Sequence, residues 1–188
     1  PSLLESGGLP ALMSGLSAVH RANLAAALRQ RLDLPLFVIC PDDTAAENFA
    51  GDLRSMLGAE VNTLTMRDFV FYQTEAVSRQ GEQKRIAALY RLAKGEGAVT
   101  VASVSGLLQR TIPPDTLRSA ALVIENGGSC PPEEVEKALL RCGYQPTEQV
   151  EGPGQFARRG GILDFFSPGE REPVRIEFWG DDIDSMGY

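Results

Sequence analysis

Apolar positions along the first two thirds of the chain fall into short continuous runs separated by longer stretches of helical spacing. "NLAAALRQRL", Asn23 to Leu32, is rich in Ala, Leu and Arg and predicts a helix. "PLFVIC", residues 35 to 40, has proline before it and proline after it and reads as a buried parallel strand. "PDDTAAENFAGDLRSMLG" follows as a helix with an acidic first turn, stopped by Gly58. "EVNTLT" is a short strand. "SRQGEQKRIAALYRLAKGEG" then places Ile86, Leu89, Tyr90 and Leu92 on a helix before a glycine stop. "AVTVASV", residues 98 to 104, is a third strand and "SGLLQRTI" a short helix. This alternation predicts an α/β domain over residues 1–117, a parallel sheet covered by helices on both faces.

The pattern then changes. "PPEEVEKALLRCG" has the proline start and acidic first turn of a helix N-terminus. Beyond it, β-prone runs are punctuated by turn signals at "EGPG", "SPGERE" and "GDD". Residues 118–188 are therefore expected to form a second, small α+β domain with an antiparallel sheet. Within it, strict alternation in "VRIEFWG" puts Val174, Ile176 and Phe178 on one face and Arg175, Glu177 and Trp179 on the other. With the aliphatic set inward, an arginine and a tryptophan point outward, the residue types enriched at interface hot spots. Upstream, Arg158 and Arg159 precede the pair Gly160-Gly161, a bulge or turn, so parity does not say which arginine shares the Arg175 face.

Charge and cysteine content narrow the partners. A formal net charge of −7 over 188 residues speaks against a surface built to neutralise phosphates, and so for a protein or small-molecule partner. Cys40, Cys130 and Cys142 are too few and scattered for a disulfide framework and form no CxxC pair, which suggests a reducing compartment. No apolar run approaches the roughly 20 residues that span a bilayer, so a cytoplasmic chain with no membrane partner is expected. The acidic run "GDDIDSM" offers magnesium-type ligands, but Asp181 and Asp182 after glycine are explained by turn chemistry. Asp42 and Asp43 stand where a helix begins, where the macrodipole favours them. Phe69, Phe71 and Tyr72 have only Arg67 nearby and read as packing residues, not a base-stacking platform.

One stretch near the amino terminus, "MSGLSAVHRA", invites comparison with the phosphate-binding pattern G-x-x-x-x-G-K-[ST]. Gly15 fits the first glycine. His20 stands at the second glycine, Arg21 at the lysine and Ala22 at the magnesium-binding hydroxyl residue. Imidazole bulk obstructs close approach of the backbone to phosphate, and alanine cannot ligate a metal. By pattern alone this is a loop entering a helix, and no nucleotide cofactor or metal is expected. His20 is the only histidine, so a histidine-based triad or multi-histidine metal site is not available.

"GQFARRGGILDFFSPGEREPVRIEFWGDDIDSM" resembles the second-domain signature shared by UvrB and the transcription-repair coupling factors, and "VTVASVSGLLQRTIPP" resembles the segment preceding it. Two departures favour the coupling-factor family. Its UvrB-like module has lost the phosphate loop that UvrB keeps intact, as "GLSAVHRA" has. The long aromatic hairpin of UvrB, between segments matching "FYQTEAV" and "QKRIAALYRL", is here a few residues. The resemblance implies a degenerate helicase-type (RecA-like) domain 1a followed by domain 2, the UvrA-interaction domain, with the module cut off before it is complete. It implies a non-catalytic recruitment role, with ATP-driven DNA translocation and RNA polymerase binding in other domains. It also implies that a carboxy-terminal domain covers the UvrA-binding face at rest. The family's UvrA contacts, an arginine before the glycine of "RGG", an arginine on the "RIEF" strand and an aromatic at that strand's end, map to Arg159, Arg175 and Trp179. The competing readings are an ATP-binding DNA helicase fragment of UvrB type, which predicts a melting temperature raised by Mg-ATP, and a DNA-damage binder, which predicts salt-sensitive strand binding.

Overall fold

The computed structural model describes residues 10–66, 80–168 and 170–188. The aromatic link with Arg67, Phe69, Phe71 and Tyr72 lies outside the described residues. Packing divides the chain into two compact units, residues 1–67 with 95–110, and residues 68–94 with 111–188.

In the first unit helix α1 (Ala18–Leu32) begins five residues before Asn23, because Ser17 caps it and its hydroxyl accepts from the His20 amide. The chain continues through β1 (Leu36–Cys40), α2 (Asp43–Leu57), β2 (Asn62–Leu64), β3 (Val99–Ser103) and the short α4 (Val104–Leu108). The three strands form a parallel sheet in the order β1-β3-β2. Asp42 caps α2, its carboxylate accepting from the Ala45 amide at 2.8 Å. Asp43 does more than complement the helix dipole: its Oδ1 accepts from the Met66 amide at 3.1 Å and from Ser105 Oγ at 3.3 Å, tying three segments together.

Ala26 of α1 and Ala46, Ala50 and Leu53 of α2 share one core with Val61, Val99 and Val101, and Leu36, Val38 and Cys40 belong to or pack against it. Both long helices thus serve one cluster. The expected cover on both faces is incomplete at the edge: on β1 the alternate residues Phe37 and Ile39 are 49% and 60% exposed, whereas Thr100 and Ala102 beside them on β3 are fully buried. Two helices feeding one cluster leave that side of β1 open among the described residues.

In the second unit α3 (Gln80–Ala93) packs against α5 (Pro114–Ala120). Helix α5 was not foreseen in the sequence pattern. Pro114 at its start and the Asp115–Arg118 ion pair support it, and Arg118 Nη1 donates to the Ala93 carbonyl at 2.5 Å. That packing groups α3 and residues 111–117 with the second unit, whereas the sequence pattern divides the chain after 117.

Helix α6 (Pro132–Arg141) and five strands complete this unit: β4 (Gln145–Pro146), β5 (Gln155–Arg159), β6 (Ile162–Phe165), β7 (Val174–Trp179) and β8 (Asp182–Gly187). They lie in sequential order. Strands β5 to β8 are antiparallel, but β4 runs parallel to β5, so the sheet is mixed where an antiparallel one was expected. The cause is local: the return through 147–154 leaves the Gln145 amide donating to the Gly154 carbonyl at 2.9 Å and the Thr147 amide to Phe156 at 2.8 Å. Val135 and Leu139 of α6 pack with Phe156 and Leu163 to form the core, joined by Phe165 and Phe178. One sheet face is therefore committed to α6.

The turn between β5 and β6 is the Gly160-Gly161 pair, with Arg159 opposite Ile162. Gly160 has φ 62°, in the left-handed region that suits glycine. Gly161 is required for a different reason. A Cβ there would lie 2.8 Å from the Phe178 carbonyl oxygen, and the Phe178 amide donates to the Gly161 carbonyl at 2.7 Å.

Candidate partner-binding site

Register determines which side chains share the sheet face away from α6. One cross-strand row is Ala157, Asp164, Arg175 and Gly187; the next is Arg159, Ile162, Glu177 and Ser185. Trp179 stands beyond them, opposite Asp182 at the Gly180-Asp181 turn. Alternation in β7 holds as the sequence pattern predicts: Ile176 is fully buried, and Trp179 is 83% exposed. A β-bulge between Glu177 and Phe178 adds a residue to the facing strand without reversing that pattern.

At the centre of this face sits a carboxylate that the sequence reading did not single out. Asp164 Oδ1 accepts from Arg175 Nε at 2.7 Å, and Oδ2 accepts from Arg175 Nη2 at 2.9 Å, a bidentate pair. Oδ2 also accepts from Arg159 Nη2 at 3.1 Å. Hydrogen bonding to Arg175, ahead of that to Arg159, holds the Asp164 carboxyl below its ordinary pKa against the opposing effect of burial. The same contact raises the Arg175 guanidinium above its ordinary value. The Asp164 side chain is largely covered, while those of Arg159 and Arg175 are 61% and 52% exposed. Ser185 Oγ donates to Glu177 Oε2 at 3.0 Å alongside. The signal for Asp164 was present in "ARRGGILDFF": a two-residue turn at the glycines sets Asp164 opposite Ala157, diagonal to Arg159.

The same register separates the two neighbouring arginines. Arg158 pairs with Leu163 on the α6 side, where it donates to Glu136 Oε2 at 3.1 Å and to Glu133 Oε1. Both carboxylates raise its pKa, and its hydrogen bond is the main cause of a lowered Glu133 pKa. Arg158 is a tie between strand and helix. Arg159 is the one that shares the Arg175 face.

The other sequence candidates lie elsewhere in the fold. Gly15, with φ 79°, belongs to an exposed segment before α1. His20, Arg21 and Ala22 sit inside the first turns of α1, not in a loop. The His20 amide is directed at Ser17 Oγ at 3.4 Å and the Arg21 amide at the Ser17 carbonyl at 3.0 Å, while His20 Nδ1 lies 3.0 Å from Ser17 Oγ. Ala22 is fully buried. The amides at the positions of the phosphate-loop glycine and lysine are thus directed within the helix end. The turn carrying Asp181 and Asp182 is pinned by backbone: the Cys130 amide donates to the Asp181 carbonyl at 2.8 Å and the Ile183 amide to Gly128 at 2.9 Å. Among the described residues no group of three or more His, Cys, Asp or Glu could hold a metal ion. Nor is any described helix long and apolar enough to cross a membrane. Cys40, Cys130 and Cys142 are free thiols.

With this geometry in place, comparison with known proteins is informative. Residues 122–188, which include α6 and the whole mixed sheet, match the UvrB interaction domain family. The chain is 28% identical over 184 residues to the transcription-repair-coupling factor of Bacillus subtilis, covering 97% of the chain and 16% of that protein. It is 32% identical over 180 residues to the coupling factor of Myxococcus xanthus, covering 92% of the chain and 15% of that protein. It is also 25% identical over 197 residues to UvrABC system protein B of Thermus thermophilus, covering 97% of the chain and 30% of that protein. These matches show the resemblance drawn from the sequence motifs, and the chain spans about one sixth of the length of the coupling factors it matches.

Proposed function

We propose that this chain is a recruitment module of the transcription-repair coupling kind, which binds UvrA and so delivers excision repair to stalled RNA polymerase. Polymerase and DNA would be engaged by other parts of a longer protein, and an intramolecular carboxy-terminal domain would cover the UvrA-binding face at rest. The boundary between its helicase-like and UvrA-binding parts is proposed to fall near residue 117.

One observation carries this reading. Within the segment that matches the UvrB interaction domain, Arg159, Arg175 and Trp179 emerge together on the sheet face opposite the α6 core. An indole left 83% exposed on the same sheet face as two guanidiniums is costly in solvent and useful at an interface, where a large ring gives contact area at little entropy cost. The fitting partner surface has an apolar recess for Trp179 and carboxylates within reach of the arginines. The net charge of −7 makes nucleic acid a poor alternative for the same face.

The mechanism is docking, with no bond made or broken by this segment. Trp179 is the anchor, and Arg159 and Arg175 set orientation through charge-assisted hydrogen bonds. Titration calorimetry of the chain with purified UvrA tests the reading. We expect binding that is lost in a Trp179→Ala, Arg175→Ala double variant whose fold is intact. Full affinity retained by that variant refutes the assignment.

A further inference from the structure

The sheet face holds a feature the docking reading does not use: two arginines already share a carboxylate. We infer that Asp164 is a positioning residue, a clamp that holds the Arg159 and Arg175 guanidiniums in one fixed array for an acidic partner. This inference rests on the proposed docking function and names how that site is organised.

The geometry supports a positioning role over simple charge balance. Arg175 spends its Nε and Nη2 donors on Asp164, in the planar bidentate arrangement that fixes both position and tilt of the guanidinium. Its Nη1 makes no contact with that carboxylate, and half of the side chain stays exposed. Arg159 spends Nη2 on the same carboxylate, leaving Nε and Nη1. Two flexible side chains on strands β5 and β7 are thus gathered onto one point of the intervening β6. Asp164 itself is largely covered and presents little of its own charge to a partner. Ordering the arginines before docking removes part of the entropy cost that binding otherwise carries. Asp164 takes up part of the positive charge of the two arginines, and Glu177 lies alongside on the same face.

The sign of the effect makes the inference testable. By Coulomb attraction alone, neutralising Asp164 makes the face more positive and should tighten binding to an acidic partner. A clamp predicts the opposite. In the isostere Asp164→Asn we expect UvrA affinity to fall fivefold or more by titration calorimetry, with Asp164→Glu recovering part of the loss. Tightened or unchanged affinity in Asp164→Asn overturns the inference.

A second readout needs no partner. In the free chain, the Arg175 Nε–H resonance in nitrogen-15 NMR should be protected from solvent exchange, and Asp164→Asn should abolish that protection. Equal exchange in both proteins overturns the clamp. If the wild-type chain fails to bind UvrA, the docking reading and this inference both fall. The Nε–H signal then distinguishes a clamp serving another purpose from no clamp at all.

Discussion

Replacing Trp179 by alanine should separate binding from folding. The indole lies at the end of β7, facing away from the α6 core and 83% exposed, so truncation removes almost no packing from the free chain. Its effect on unfolding free energy should stay within about 0.5 kcal/mol, as for surface positions free of special interactions. In a complex the calculation reverses. An aromatic side chain of this class buries about 150–250 Å². Taking on the order of 150 Å² as the part still available for docking, burial at about 25 cal/mol per Å² would contribute about 4 kcal/mol. Truncation recovers only part of such a term, and hot-spot residues lose about 2 kcal/mol or more, roughly thirtyfold in affinity. Urea unfolding of the free variant and titration calorimetry against UvrA measure the two quantities side by side. An unchanged affinity would refute the anchor role. A stability loss above about 2 kcal/mol would instead place the indole in the fold's own packing.

Three further outcomes follow from the same geometry. Arg158→Ala should leave UvrA affinity within twofold in calorimetry, because Arg158 faces Glu133 and Glu136 of α6, whereas Arg159→Ala should weaken it at least fivefold. Because the folded pKa of Asp164 is lowered below the ordinary value of 3.8, its contribution to stability is complete above the unfolded value and is lost as pH falls through the folded one. The difference between wild type and Asp164→Asn in urea unfolding should therefore be present at pH 7 and shrink below about pH 4. Gly161→Ala drives a Cβ to 2.8 Å from a backbone carbonyl that cannot swing away, and should cost about 1–3 kcal/mol in the same assay.

Period-two alternation made the outward pair Arg175 and Trp179 legible in the sequence, since a half-buried strand needs no information beyond its own residues. The choice between Arg158 and Arg159 was not legible that way. It depends on the register across Gly160-Gly161, and the separate register between β6 and β7 sets Asp164 opposite Arg175, neither of which a single strand's alternation reveals. The order of the helices and strands in the first unit follows from their spacing, but the open side of β1 does not. Phe37 and Ile39 read as core from composition alone, and only the placement of α1 and α2 on one cluster leaves them exposed. Likewise α5 hides in "PPDTLRSA", where two prolines read as a loop until Arg118 is seen to reach the Ala93 carbonyl. The parallel β4 is two residues long and carries no periodicity to read.

Trp179 is the only tryptophan of the chain, which gives the account its most direct test. Incorporation of 5-fluorotryptophan yields a single fluorine-19 resonance whose shift between light and heavy water reports solvent contact. We predict a large solvent isotope shift in the free chain that collapses when UvrA is added. A resonance that keeps its solvent shift in a complex proven by calorimetry would contradict the docking of this face.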